Sequence, residues 1–288
     1  MKWRYINEHK DVWPVVRMCK VFDVSPSGYY GWRNRPPSQR EQENEQLVKA
    51  IRKVHQDSGE TYGSPRIHAE LQAQGHACSL NRVARLMRRH NIQAKRRRHY
   101  KTTTNSDHGD PVAPNLLEQD FTASEPNEKW VADITYIRTD EGWLYLAVII
   151  DLFSRLVVGW AMDTRLYSNL VERALHMAVS RRKPGQGLIH HSDQGSQYAS
   201  QSFQNMLKQH HIQASMSGTG NCYDNAPAES FFASLKAERV SHRLYRTRRE
   251  AIIDIFQYIE TFYNRQRRHS SLGYLSPRTF EQQQPSGS

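Results

Sequence analysis

The sequence predicts an α/β protein: a mixed β-sheet covered by helices on both faces, preceded by all-helical segments. Three observations carry this. In the first ninety residues the apolar positions recur at helical spacing. From Trp130, three short apolar runs separated by turns read as a meander of strands. After them, helix-period and strand-period stretches alternate before the chain ends in helices.

Residues 1–37 read as a helix-turn-helix-like segment. Val15, Val16, Met18, Cys19 and Phe22 form an apolar stripe, and Asp23-Val24-Ser25-Pro26 forms the turn. Ser25 is placed to cap the second helix and Pro26 to occupy its first position. Residues 38–101 form a helical, basic, DNA-binding domain of three helices. The first, 41–56, buries Leu47, Val48, Ile51 and Val54; the second, 66–74, is closed by Gly75. The third, 79–90, turns Leu80, Val83 and Leu86 inward and its arginines outward. Residues 102–126 are polar, with few large apolar groups, and read as a linker. Residues 127–281 hold the sheet: strands at 130–137, 144–151, 156–161, 188–191 and 212–217, helices at 168–182, 201–210, 225–240 and 250–264. Residues 282–288 are a tail.

Composition narrows the function. The 288 residues carry 40 Lys and Arg against 29 Asp and Glu, a net charge of +11 that favours a polyanionic partner. No apolar run approaches a membrane span, and the first residues lack the apolar stretch of a secretory signal, so a cytoplasmic location is expected. The three cysteines make no CxxC pair, which argues against a zinc ribbon or a disulfide framework. The charge is concentrated. Arg82, Arg85, Arg88, Arg89, Lys95, Arg96, Arg97, Arg98 and Lys101 fall within twenty residues that contain no acid. Such a block repels itself unless an anion neutralises it, and it is read as a phosphate-binding face.

Acids inside apolar strands are costly unless paired or metal-bound. Asp133 sits within the first strand, Asp193 at the end of the fourth, and Glu229 near the start of a helix. If the first and fourth strands are neighbours, the two aspartates converge and the helix brings Glu229 over them. Three carboxylates with open positions suit magnesium or manganese rather than zinc. Two such ions activate a nucleophile and stabilise the leaving oxygen of a phosphodiester. Asp151 also ends a strand and is read instead as a turn residue touching Arg155.

The flanks of these acids carry a resemblance. Trp130-Val131-Ala132-Asp133-Ile134-Thr135-Tyr136, His191-Ser192-Asp193-Gln194-Gly195-Ser196-Gln197-Tyr198 and Gly220-Asn221-Cys222-Tyr223-Asp224-Asn225-Ala226-Pro227-Ala228-Glu229-Ser230-Phe231-Phe232 closely resemble the D,D(35)E transposases of bacterial insertion sequences. They look most like the second-frame product of the IS-three family. Thr61-Tyr62-Gly63-Ser64-Pro65-Arg66-Ile67 and Tyr263-Asn264-Arg265-Gln266-Arg267-Arg268-His269 resemble that family too. The resemblance implies an RNase H-like fold shared with retroviral integrases. It also implies catalysis and metal binding by Asp133, Asp193 and Glu229, with two Mg2+ (or Mn2+) ions, and DNA transposition in a bacterium. It implies a DNA-end contact at Lys236, which lies two helical turns beyond Glu229 on the same face. Arg267 and Arg268, with Tyr263, Asn264 and His269, are expected at the phosphate backbone, although Tyr263 serves equally as core. Asn225 is expected to cap the helix of Glu229.

The expected partners are double-stranded DNA, both terminal inverted repeats and target, and further copies of the chain gathered on that DNA. The chain has no heptad run, so an upstream-frame product is an expected partner or fusion. Two alternatives stand beside the transposase: an RNase H-type metal-dependent nuclease, and a DNA-binding regulator without catalysis.

Overall fold

The computed structural model describes residues 2–95, 112–218 and 222–284. Three short helices come first: α1 (Lys2–Glu8), α2 (Val15–Val21) and α3 (Pro26–Arg33). They close on a small core of Ile6, Met18, Cys19 and Tyr29. Ser25 caps α3, its hydroxyl accepting the Gly28 N–H at 3.0 Å, and Pro26 is the first helical residue, as its fixed φ favours. The inward face of α2 is narrower than the sequence stripe, for Val16 is exposed.

A second helical unit follows: α4 (Gln39–Asp57), α5 (Ser64–Ala73) and α6 (Leu80–Arg89). Ser38 and Glu41 form a reciprocal capping box at the start of α4. Leu47, Val48, Ile51 and Val54 pack with Ile67, Leu71, Val83, Leu86 and Met87. Leu80, expected inside, is the first residue of α6 and stays exposed.

The sheet contains β1 (Lys129–Thr139), β2 (Gly142–Asp151), β3 (Val157–Asp163), β4 (Ile189–Ser192) and β5 (Gln213–Met216). Its order is β3-β2-β1-β4-β5. β1–β2 and β2–β3 are antiparallel, whereas β1–β4 and β4–β5 are parallel. This is the RNase H-like arrangement. Between the strands and after them run α7 (Ser168–Arg182), α8 (Ser196–Ala199), α9 (Gln201–Gln209), α10 (Ala226–Glu238), α11 (Arg248–Gln257) and α12 (Pro277–Gln283). The helix expected over 250–264 is α11 followed by a π-helical turn, Tyr258–Tyr263.

Alternation along the strands divides the core in two. One face presents Trp130, Ala132, Ala147, Ile149 and Val158 to α7 and α9. The other presents Val131, Ile137, Leu146, Val148 and Ile150 to α10 and α11. Gly159 on β3 lets α7 approach closely: a Cβ there would stand 2.3 Å from the Ala174 carbonyl oxygen. The outer edge of β3 is covered by Asn264, whose side chain both accepts from Val157 N and donates to Val157 O, each at 3.0 Å.

Residues 112–126, expected as a linker, are built into the core domain. Leu117 is buried, Leu116 N donates to Ser215 Oγ, and Lys129 pairs with Asp120 at 2.7 Å. Asp151 closes the turn as read, its carbonyl accepting the Arg155 N–H at 2.8 Å, but its buried carboxylate finds other partners. Its carboxylate accepts from Asn127 N at 2.8 Å and Phe153 N at 3.0 Å and lies 3.4 Å from Arg182, not against the Arg155 guanidinium. The Arg155 side chain reaches the Phe121 carbonyl instead.

Two outcomes follow from this packing. Gly159→Ala is expected to cost about 3 kcal/mol, because the methyl meets rigid backbone rather than a movable side chain. Thermal unfolding reads this as a fall in Tm, and an unchanged Tm would show that α7 yields. Burial raises the Asp151 carboxyl to about 6, so the folded state keeps this proton longer than the unfolded chain does. Its contribution to stability therefore falls as pH rises through that interval. The unfolding free energy of Asp151→Asn relative to wild type should move in the variant's favour by up to about 3 kcal/mol between pH 4 and 7. Urea titrations at several pH values measure this, and a flat difference would contradict it.

Candidate active site

The register of β1 against β4 positions the first two acids. Val131 pairs with His191, an offset of sixty residues. Asp133 and Asp193 are each two positions further along, so they keep the same offset just past the end of the ladder, close enough for the Asp193 charge to raise the Asp133 carboxyl. Adjacent strands lie about 4.8 Å apart, and beyond the last pair the two chains separate. Asp133 shares the face of Val131 and Ile137, the face that α10 covers. The Asp133 carboxylate accepts from the Ile134 N–H at 2.7 Å, and that of Asp193 from the Gly195 N–H at 3.1 Å. Gly195 permits this tight turn, since a Cβ there would stand 3.0 Å from Asp193 Oδ1.

The electrostatics show which groups share the site. The Asp133 carboxyl is pushed well above its ordinary range, first by burial, then by the charge of Asp193, and more weakly by Glu229. Lys236 opposes that rise. Glu229, in the first turn of α10, is raised by burial. Burial lowers the Lys236 ammonium and the Asp133 charge counters it, while its Nζ lies 5.4 Å from the Tyr136 ring centroid. Asp193, Glu229 and Lys236 thus all act on the Asp133 carboxyl.

The donor types suit a hard divalent cation, and the charges of Asp193 and, more weakly, Glu229 favour the neutral Asp133 carboxyl when no cation is bound. Close by, the buried Tyr198 hydroxyl has no hydrogen-bond partner and feels the charges of both aspartates. Among the described residues, however, no three acidic, histidine or cysteine side chains stand close enough to share one ion. Two aspartates are paired and the glutamate stands within their field.

Sequence reasoning missed the devices that hold this arrangement. Asn225 occupies the cap position of α10, yet its side chain makes no capping bond. It donates to the Ala132 carbonyl at 2.9 Å, fastening the helix to the residue before Asp133. His190 and His191 point to opposite faces, and neither carries charge. Burial lowers His190 to about 3 among Tyr198 and Phe203, and lowers His191 to about 4 between the hydroxyls of Ser215 and Ser217.

The DNA-binding candidates divide into three groups. Arg85, Arg88 and Arg89 are exposed on α6. Arg82 is held by Glu43 and Asn44, and Lys95 by Glu60 and the Gly59 carbonyl. Arg96, Arg97, Arg98 and Lys101 lie outside the described residues. Arg267 and Arg268 depart from expectation. Arg267 is 4% exposed and forks onto Glu238, with bonds of 2.7–3.0 Å. Arg268 bonds Glu70 of α5 at 2.6 Å, and its N–H donates to the Tyr62 hydroxyl. Tyr263, Asn264 and His269 are buried as well. A guanidinium committed to a buried carboxylate presents no face to a phosphate. These residues instead clasp the second helical unit to the core, since Arg66 also approaches Glu238 at 3.6 Å.

Arg267→Ala is therefore expected to destabilise the fold by about 3–5 kcal/mol, leaving Glu238 with only the Tyr258 hydroxyl and the more distant Arg66. The salt dependence of duplex binding should stay unchanged. Neutralising Arg85, Arg88 and Arg89 together should do the reverse, lowering the log–log salt slope by up to roughly 0.9 per contact. Filter binding across a salt series, paired with thermal melts, separates the two. A reduced slope for Arg267→Ala would restore it to the DNA interface.

Comparison with known proteins agrees with this layout. Family models described as "Integrase core domain" match residues 123–222 and 210–277, and one described as "HTH-like domain" matches residues 41–100. That helix-turn-helix match falls on the unit carrying the arginine block, not on the first 37 residues. The chain is 46% identical over 283 residues to transposase InsF for insertion sequence IS3A of Escherichia coli, covering 98% of each chain. It is 48% identical over 265 residues to a 31 kDa protein of insertion element IS600 of Shigella sonnei, covering 92% of this chain and 97% of that one. Among solved structures, it resembles a simian T-cell lymphotropic virus intasome structure (TM-score 0.49, 16% identity, 83% of this chain and 76% of that one). It also resembles the HTLV-2 integrase catalytic core with magnesium (TM-score 0.43, 18% identity, 56% of this chain and 99% of that one). With close relatives along nearly its whole length, an RNase H-like sheet and paired aspartates at its β1–β4 junction, the chain belongs to the IS3 family of insertion-sequence transposases, of the second-frame type.

Proposed function

We propose that this chain cuts the ends of its insertion sequence and joins the freed 3′-hydroxyl to target DNA, with Asp133, Asp193 and Glu229 as the catalytic carboxylates. The observation that carries the reading is the register-matched pair Asp133 and Asp193 with Glu229 and Lys236 in their field, in a chain nearly half identical to IS3 transposases.

Asp133 and Asp193 would hold a divalent cation, Mg2+ or Mn2+, from two adjacent strands, and Glu229 would complete the set from α10. Two such ions supply charge stabilisation to the attacking and leaving oxygens of an in-line displacement. Lys236 is placed to hold a non-bridging phosphate oxygen at the DNA end. Tyr136 supports its ammonium, and a bound phosphate would add to the Asp133 charge that keeps it protonated against burial. In the cutting step water attacks phosphorus and the bond to the 3′ oxygen breaks. In the joining step that 3′-hydroxyl attacks a second phosphodiester and displaces another 3′ oxygen. The site bonds remain between DNA and water or DNA and DNA, so no protein nucleophile is consumed.

The duplex would reach this site from α6. Its exposed arginines contact phosphates, and Lys95, Arg239, His242 and Arg243 line a cleft between the helical unit and the end of α10. One triad acts on one phosphodiester at a time and an element has two ends, so at least two copies gather on the DNA. Bacterial relatives and the lack of any membrane-length apolar helix among the described residues favour a cytoplasmic, nucleoid-associated enzyme.

Asp193→Asn is expected to abolish cutting and joining while leaving duplex binding intact. Relief of repulsion should raise the metal-free Tm by roughly 2–4 °C, the shift of about 1 kcal/mol in a domain this size. The assay uses a labelled duplex bearing the terminal repeat, with and without Mg2+. Joined products support a transposase, cleavage alone a nuclease, and binding without chemistry a regulator. Activity in Asp193→Asn would remove that residue from the site.

A further inference from the structure

We propose that Asp224 is a positioning residue for Glu229, held in place by a strap formed from residues 113–120. The proposal rests on Glu229 being a catalytic carboxylate. The strap runs beside β5. Met216 N donates to the Pro114 carbonyl at 3.3 Å, Leu116 N donates to Ser215 Oγ at 2.9 Å, and Leu117 is buried in the core. Two strap side chains reach the same carboxylate: Asn115 Nδ2 donates to Asp224 Oδ2 and Gln119 Nε2 to Asp224 Oδ1, each at 3.1 Å. The Gly218 N–H adds a third bond, at 2.9 Å.

The orientation of Asn115 is determined. Its Oδ1 already accepts the N–H groups of Leu117 and Glu118, so its NH2 must face Asp224. Asp224 is 2% exposed. A carboxylate so buried persists because several N–H donors satisfy it, and each bond lost leaves a desolvated group behind.

Consider what this carboxylate joins. It lies in the 3₁₀ turn Cys222–Asn225 that leads directly into α10. The next residue, Asn225, is fastened to β1 at Ala132, beside Asp133. Glu229 follows in the first turn of the helix. The start of α10 is thus pinned from two sides, by β1 through Asn225 and by the strap through Asp224. Such pinning matters for this acid above the others. Asp133 lies within β1, paired with Val148 of β2, and Asp193 follows directly on β4, whereas Glu229 depends on where its helix begins. A misplacement of about 1 Å at a reacting centre costs on the order of a hundredfold in rate.

The test uses the full chain and four variants: Asp224→Ala, Asp224→Asn, the double variant Asn115→Ala with Gln119→Ala, and Glu229→Gln as reference. Hydrogen exchange of peptides over residues 222–232 in the metal-free protein reads the helix start directly. The Mn2+ concentration giving half-maximal cutting reads the placement of the third carboxylate. Asp224→Ala should speed exchange in those peptides, leave α7 peptides unchanged, and raise the Mn2+ requirement by about tenfold or more. Asp224→Asn should recover most of this, since its oxygen still accepts from Gly218 and Asn115 while the Gln119 amide turns over. The strap double variant should reproduce Asp224→Ala, although its substitutions lie about a hundred positions away in sequence. It also decides the matter if Asp224→Ala fails to fold. Unchanged exchange and Mn2+ dependence in either, or failure of Asp224→Asn to recover, overturns the proposal. Activity in Glu229→Gln would instead overturn the catalytic reading of Glu229, with exchange still deciding whether the strap pins α10.

Discussion

The structure turns on one constraint: two carboxylates must be kept side by side, partly out of water, against their mutual repulsion. The parallel register of β1 and β4 imposes it. That register is strongly determined because a one-residue slip would carry Trp130 and Val131 to the wrong faces of a sheet buried on both sides. The apolar core thus bears the cost of the acidic pair. The Asp133 carboxyl is raised first by burial and then by the charge of Asp193, with Lys236 opposing the rise.

The third acid is held differently. It comes from a helix whose start is fastened by side chains to neighbouring elements, and its coupling to Asp133 is weaker than that of Asp193. Strand pairing resists displacement because each residue shares a ladder of bonds, while a helix end held by a few amide contacts moves when any of them is lost. The proposed site thus draws two acids from the sheet and one from a helix start.

A second buried charge joins the two large units. Glu238 at the end of α10 receives Arg267, the Tyr258 hydroxyl at 2.7 Å and Arg66 of α5. The Tyr62 hydroxyl meanwhile bonds the backbone at Gln266 and Arg268. The two motifs outside the acidic triad, around Tyr62 and around Arg267, therefore meet each other. Their arginines serve packing between units, and a buried pair of this kind specifies orientation better than it adds stability. The helix bearing exposed Arg85, Arg88 and Arg89 belongs to the unit so oriented, which relates that basic surface to the sheet.

The sequence by itself determined the element types, because apolar periodicity reports which face of a strand or helix must leave water. It also singled out Asp133, Asp193 and Glu229 as candidates, because carboxylates inside apolar strands demand a reason, and it determined the helix cap at Ser25, because capping is local. Several assignments were beyond it. Arg267 and Arg268 look the same in sequence as phosphate-binding arginines; only the fold brings Glu238 and Glu70 to them. Residues 112–126 look like a linker because their contacts, Asp224 and Ser215, lie about a hundred residues away. Asn225 sits where a cap belongs, yet it bonds the carbonyl of Ala132 in another element. The physical reason is common to all three. Periodicity and capping act between residues close in the chain, whereas the partner of a charged or amide side chain is chosen by distance in space, which only the tertiary structure decides.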